Sequence, residues 1–449
     1  MQNFEDVIKE DCFYVDKTPF IEDIEESNKY FFYIRPRRFG KSLTLSMLEN
    51  YYDINKKEDF DTIFGGLYIG ENPTSEHNTY LVIHLNFAEV DSGLDNYKEG
   101  LDTHCRLVFE DFCTRYAALL PKGTKEELKS EQGAIAQLRF LCQKCTEVKQ
   151  KIYLFIDEYD NFTNMILSSE EHLERYKGQT HGEGYLRRFF NTIKGAANTS
   201  LDRIFVTGVS PVTMDDLTSG FNIGTNYSLA PEFNEMTGFT EEEVREMLSY
   251  YAGVLPFNHT VDELIEIMKP WFDNYCFAIN SYGKTTMYNS IMVLNFVDNY
   301  IRNDYHIPNK MVETNIRIDY SKIRMLIRHD KEFAHDASII QELVTKGYTT
   351  GNLVENFPAD RINDPDNFLS LLFYFGLVTI DGEYKGSTKF IIPNEVVRDQ
   401  IYTYLLDTYR ENDLTFEQYD KNKLESRLAY DGDFKPYFDY IADCLKRYS

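Results

Sequence analysis

Residues 30–42 read Tyr30-Phe31-Phe32-Tyr33-Ile34-Arg35-Pro36-Arg37-Arg38-Phe39-Gly40-Lys41-Ser42. The first five form an apolar, aromatic run of the length and composition of a buried strand. After Ser42, Leu43, Leu45, Met47, Leu48, Tyr51 and Tyr52 recur at helical spacing. The order is therefore strand, tight loop, helix. The loop ends in Gly40-Lys41-Ser42, the close of the pattern G-x-x-x-x-G-K-[ST], although the first glycine falls on Arg35. That pattern holds phosphate on backbone N–H groups at a helix start, with a lysine reaching the terminal phosphates and a hydroxyl for magnesium. It makes Arg35, Arg37, Arg38, Phe39, Gly40, Lys41, Ser42 and Leu43 candidates for holding ATP and Mg2+.

Downstream, Ile152-Tyr153-Leu154-Phe155-Ile156-Asp157-Glu158 is an apolar strand ending in two acids. Asp157 is placed to join Ser42 at a magnesium ion, and Glu158 to polarise an attacking water as general base. Two more apolar runs read as strands, Tyr80 to Phe87 and Arg203 to Gly208, and the segments between them read as helical. Strands alternating with helices predict a parallel sheet covered on both faces. In nucleotide hydrolases with a glutamate base, a further strand lies between the two motif strands and offers a polar side chain. Thr207 and Ser210, at the end of the fourth strand, are the candidates for that role beside Lys41 and Glu158. Arg187, Arg188 and Arg203 are candidate arginine fingers, each set against an ordinary surface role.

Composition narrows the alternatives. With 449 residues, 43% of them apolar, the chain can bury more than one core. Its formal charge of -26 disfavours non-specific binding to a phosphate backbone. Seven scattered cysteines lack a disulfide framework, and Cys142-x-x-Cys145 lacks the second pair of a zinc site. No apolar stretch approaches the ~20 residues of a membrane span, and residues 1–11 lack the layout of a signal peptide, so a cytoplasmic protein is expected.

Thr240-Glu241-Glu242-Glu243 has the layout of a capping box and opens a helical region. Near the end, Phe368 to Phe375 reads as a helix, Gly376 as its stop, and Val378-Thr379-Ile380 and Lys389 to Ile392 as strands turning at Asp381-Gly382. The expected architecture is α/β: a P-loop NTPase sheet with helices on both faces over 1–238, a helical lid over 239–330, and a winged-helix-like region over 331–449.

These stretches together resemble the AAA-ATPase-like proteins widespread in bacteria. The likeness rests on Tyr14-Val15-Asp16-Lys17-Thr18, on residues 35–42, and on Phe155-Ile156-Asp157-Glu158-Tyr159-Asp160. Thr207-Gly208-Val209-Ser210-Pro211, Pro231-Glu232-Phe233-Asn234-Glu235-Met236 and Gly238-Phe239-Thr240 extend it. The resemblance accounts for Arg35, because that family carries Arg-Pro-Arg-Arg-Phe where a glycine is usual. Its Trp-Tyr-Asp-Gly-Tyr-x-Phe segment stands here as Trp271-Phe272-Asp273-Asn274-Tyr275-Cys276-Phe277, and its Tyr-Asn-Pro as Tyr288-Asn289-Ser290. Cys276 occupies a position often held by arginine, which puts a nucleotide-sensing role of the helical region in doubt. The C-terminal nuclease domain of many relatives is not carried over, since no Asp…(Asp/Glu)-x-Lys set stands in the last hundred residues. Three functions remain open: an ATPase that drives a conformational change, a nucleotide-gated switch or scaffold with ATP or ADP and a protein partner or second copy, and a DNA-associated protein.

Overall fold

The computed structural model describes residues 3–90, 97–161, 184–212, 224–311, 339–411 and 418–448. Its centre is a five-stranded parallel sheet of β1 (Tyr30–Ile34), β2 (Tyr80–Asn86), β3 (Lys151–Asp157), β4 (Leu201–Gly208) and β5 (Thr225–Asn226). The spatial order is β2-β3-β4-β1-β5, so β4 does lie between the strands that lead to Lys41 and to Asp157. Every residue of β3 after Lys151 is buried, as expected for a strand covered on both faces. The expected helices flank it: α1 (Lys41–Tyr52), α2 (Tyr97–Arg115), α3 (Gly133–Glu147) and α4 (Tyr185–Ala196). Aromatic side chains fill the core on the α1 side, where Phe31 stacks against Phe205 and Tyr227.

A helical region follows, with α5 (Glu241–Val254), α6 (Val261–Phe272) and α7 (Ser290–Arg302) around a second core that includes Met247, Met268 and Phe296. Thr240 and Glu243 form the capping box read from the sequence, and Thr260 with Glu263 forms another. Each satisfies helix-end N–H groups that nothing inside the helix can reach.

The C-terminal part keeps the expected helix and two strands but departs from its reading at the turn and by an added strand. A helix α8 (Pro365–Tyr374) precedes β7 (Thr379–Tyr384) and β8 (Ser387–Ile391), and β6 (Thr349–Gly351) adds to β8 in an antiparallel sheet ordered β6-β8-β7. Asp381-Gly382 is not the turn. It lies inside β7 at a register shift between Ile380 and Glu383. The chain reverses at Lys385-Gly386, where both residues have positive φ, the geometry of a two-residue hairpin. An Asp-Gly pair supplies left-handed backbone to a bulge as readily as to a turn, and the pairing partners decide between them. The chain divides into two compact units, 1–398 and 399–449. The boundary expected near residue 330 lies outside the described residues.

Candidate functional site

The loop after β1 is shaped at Gly40, which stands as the N-cap of α1 at φ 95°, a left-handed conformation that costs a glycine nothing. α1 thus begins at Lys41, with its first N–H groups turned to the loop. Lys41 is buried, and its Nζ donates to the carbonyls of Arg35 and Pro36, each at 3.1 Å. Burial pulls its pKa down, against the raising influence of Glu158 and Asp157. Among the described residues its hydrogen-bond partners are those two carbonyls of its own loop, and no carboxylate is bonded to it.

Across the sheet, the end of β3 meets the start of α1. Ser42 Oγ donates to Asp157 Oδ2 at 2.8 Å, joining the two expected magnesium ligands. Burial raises the Asp157 pKa, and the neighbouring Glu158 raises it further. Glu158 has φ 50° and donates its N–H to Asp157 Oδ1. A non-glycine residue in that region stores backbone strain of roughly 1–3 kcal/mol, which tends to be found at working sites. One carboxylate and one hydroxyl suit magnesium, which takes few protein ligands and fills its remaining positions with water and phosphate. Among the described residues no group of three His, Cys, Asp or Glu is placed to hold a metal without such help.

A cavity of about 490 Å³ opens in front of these groups, in the size range of small-molecule sites. Arg37, Arg38, Phe39, Gly40, Lys41, Ser42, Leu43 and Glu158 all line it. Arg35, Asp157, Thr207 and Ser210 do not. Thr207 donates its hydroxyl to the carbonyl of Tyr33 at 2.7 Å, and Ser210 is fully buried with its N–H on Asp160 Oδ2. Arg35 turns its side chain away from the cavity into the protein. Of the arginine candidates, Arg203 sits at the opposite end of its strand and is bound to Glu76, while Arg187 is half-buried and Arg188 exposed.

The sequence reading missed the other walls. Phe13, Tyr14, Val15 and Lys17 of the N-terminal segment line the cavity, with Met247 and Tyr251 of α5 and Ile291 and Leu294 of α7. Lys17, buried, bonds Glu243 Oε1 at 2.5 Å and the carbonyl of Glu235 at 2.8 Å. Burial lowers its pKa, and Glu243 opposes that shift. Glu243 is also the capping-box carboxylate of α5, so one side chain anchors both the N-terminal segment and the helical region. The quoted run Tyr14-Val15-Asp16-Lys17-Thr18 was the available signal. The lining combines polar groups at Lys41, Ser42 and Glu158 with apolar ones at Phe13, Val15, Met247 and Leu294.

Residues 1–218 match the model of the AAA-ATPase-like family, described as a predicted AAA-ATPase. That span holds β1 to β4 and every residue of the Lys41–Asp157 site. Over that span the chain is similar to this family. The uncharacterized protein in the vnfD 5′ region of Azotobacter chroococcum mcd 1 is 25% identical over 266 residues, 59% of this chain and 45% of that protein. The chain thus spans under half the length of that curated relative. Among solved structures, Cdc6p from Pyrobaculum aerophilum is similar over 84% of this chain and 88% of its own, at 13% identity and a TM-score of 0.33. Aeropyrum pernix ORC1, solved in complex with DNA, covers 86% and 91% at 10% identity and 0.31. The ORC2 protein of the same organism, solved as ADPNP and ADP complexes, covers 87% and 93% at 10% and 0.35. No helix among the described residues is long and apolar enough to cross a membrane.

Proposed function

We propose that the AAA-ATPase-like domain binds ATP with Mg2+ in the cavity between the Gly40-Lys41-Ser42 loop, the N-terminal segment and the helical region, and hydrolyses it to move that region. The observation that carries the reading is the Ser42–Asp157 hydrogen bond, which brings together two residues 115 positions apart in the chain beside a buried lysine. The site fits the group. The start of α1 and Lys41 would hold the phosphates, and Ser42 and Asp157 the metal. A bound magnesium ion supplies charge stabilisation to phosphoryl transfer.

The protein's own residues do the remainder. Glu158, half-buried, lines the cavity, where its carboxylate can take a proton from water. Arg37 and Arg38 line the same mouth and bring positive charge to it, in a chain otherwise strongly acidic. Phe13, Val15, Met247 and Leu294 exclude water from the far end and give an aromatic base an apolar slot. Thr207 and Ser210 act from behind and do not line the cavity: Thr207 ties β4 to β1 through the Tyr33 carbonyl, and Ser210 ties the segment after β4 to Asp160 beyond β3. Lys17 and Glu243 make the lid answer to the same site, since α5 supplies both the anchor and part of the wall.

Calorimetry with MgATP tests this, comparing wild type with Lys41→Ala. Saturable binding by wild type and none by the variant at the same concentrations is the expected result. Equal binding by both would remove the loop from the site. Binding with no phosphate release by wild type would favour the second reading, a nucleotide-gated switch with a protein partner.

A further inference from the structure

Several motifs shared with the family are not used by the nucleotide site, and they converge behind it. Arg35 is 1% exposed. Its Nη1 donates to the carbonyls of Ile34 and Ser228 and its Nη2 to that of Phe233. Its guanidinium lies 4.3 Å from the ring centroid of Tyr33 and 4.3 Å from that of Phe277. No carboxylate among the described residues pairs with it. A guanidinium cannot shed its charge, so burial without a counter-ion is expensive and an apolar residue would fill the space more cheaply. What arginine adds is a rigid fork that fixes carbonyls on two segments, with two faces that stack on aromatic rings.

The same residue works in both directions. Its side chain grips Ser228 and Phe233 behind the loop, and its carbonyl accepts Lys41 Nζ in front. Phe277 carries the grip into the helical region: its ring meets Phe39 of the loop and Phe373 of α8, and its N–H donates to Asn234 Oδ1. The start of α7 holds the loop from another side. Asn289 Nδ2 donates to the Arg37 carbonyl, and Ser290 Oγ and the Ile291 N–H to that of Arg38. Behind Pro36 stands Gly376, where an added Cβ would come within 2.9 Å of the proline Cβ.

We infer that Arg35 is the positioning residue of the phosphate loop. It stands where the usual loop has glycine and, through Phe277, makes the loop's shape depend on the packing of α7 and α8. The inference rests on the nucleotide reading above. It predicts that a side chain outside the cavity sets nucleotide affinity.

The test is MgATP affinity by calorimetry for wild type, Phe277→Leu, Arg35→Lys and the double variant, with melting curves taken without nucleotide. Phe277→Leu keeps an apolar side chain and removes the ring, while Arg35→Lys keeps the charge and removes the fork. Each single variant should bind MgATP about tenfold more weakly, within the usual size of coupling between distant sites. The double variant should be no weaker than the weaker single, because the two residues act as one unit. A role in stability alone would lower the melting temperature and leave affinity, measured well below it, unchanged. If Arg35→Lys does not fold, Phe277→Leu decides by itself. Wild-type affinity in a folded Phe277→Leu variant overturns this inference alone. A wild type that binds no MgATP overturns the nucleotide reading and this one with it.

Discussion

At the N-terminal ends of the strands, Arg203 gives Nε and Nη2 to Glu76 at 2.7 and 3.0 Å and reaches the carbonyls of Ile24 and Glu25. Beside it, Asp202 is met by Lys29, Lys151 and the hydroxyl of Tyr80. At the C-terminal ends, Lys41 rests on two carbonyls, Asp157 on a serine hydroxyl and a backbone N–H, and a cavity stands in front. Both ends are charged and both are partly buried. The first is closed, with opposite charges matched to each other. The second keeps Lys41 and Asp157 hydrogen-bonded to neutral partners, which leaves their charge to act on a ligand. The pairing of buried charge, more than its amount, separates a girder from a site.

The largest effect expected from breaking this contrast is at Glu158. Glu158→Gln keeps size and hydrogen bonding but cannot accept the proton. Turnover of ATP should fall by about 10²- to 10⁴-fold, the usual worth of a general base, while MgATP affinity stays within a few-fold of wild type. Phosphate release in single-turnover experiments, run beside calorimetry, checks both halves. Unchanged turnover would move the base elsewhere.

Next in size is the closed end. Arg203→Ala leaves Glu76 without its bidentate partner and should cost about 3 kcal/mol of stability, at the low end for a broken buried pair because Glu76 is partly exposed. Nucleotide affinity should not change, since Arg203 and the cavity lie at opposite ends of β4. Urea denaturation and calorimetry on the same preparation read the two quantities. A loss of affinity in a folded variant would mean that the two ends are coupled through the strands, and the contrast would fail.

The legibility of the sequence follows the same division. Strands β1 to β4 could be read because parallel strands covered on both faces are unbroken apolar runs, Lys41 and Ser42 because they close a short motif loop after such a run, and Asp157 and Glu158 because they stand at the end of one. Phe13, Met247 and Leu294 could not be read as cavity walls. They come from three segments far apart in the chain, and an apolar residue facing a ligand looks the same in sequence as one facing a core. Arg35 could be placed in the loop but not on its correct side, since motif spacing fixes where a Cα lies and not which way its side chain turns. Asn274 shows the reverse case. It stands where the Trp-Tyr-Asp-Gly-Tyr-x-Phe segment that this stretch resembles has glycine, and the backbone there is at φ 79°, a conformation asparagine tolerates better than most residues.

His84 offers a finer test because it belongs to the site end and yet is paired. It stands on β2, with Nδ1 2.6 Å from Oε1 of Glu49 on α1. Burial alone would lower its pKa, but the Glu49 hydrogen bond and charge, joined by Asp157 and Glu89, outweigh that and leave it above the ordinary value of 6.5. The sign follows from linkage. A folded-state pKa above the unfolded one means that the pair stabilises fully below about pH 6.5 and that this contribution is lost as the pH rises through the folded value. His84→Gln should therefore lower stability more at pH 6 than at pH 9. Paired urea titrations at the two pH values measure the difference, which is small because the ring is partly exposed. A difference of the opposite sign would mean that burial wins and the imidazole is neutral. The His84–Glu49 contact would then belong with the neutral contacts around Lys41 and not with the closed ion pairs of Arg203.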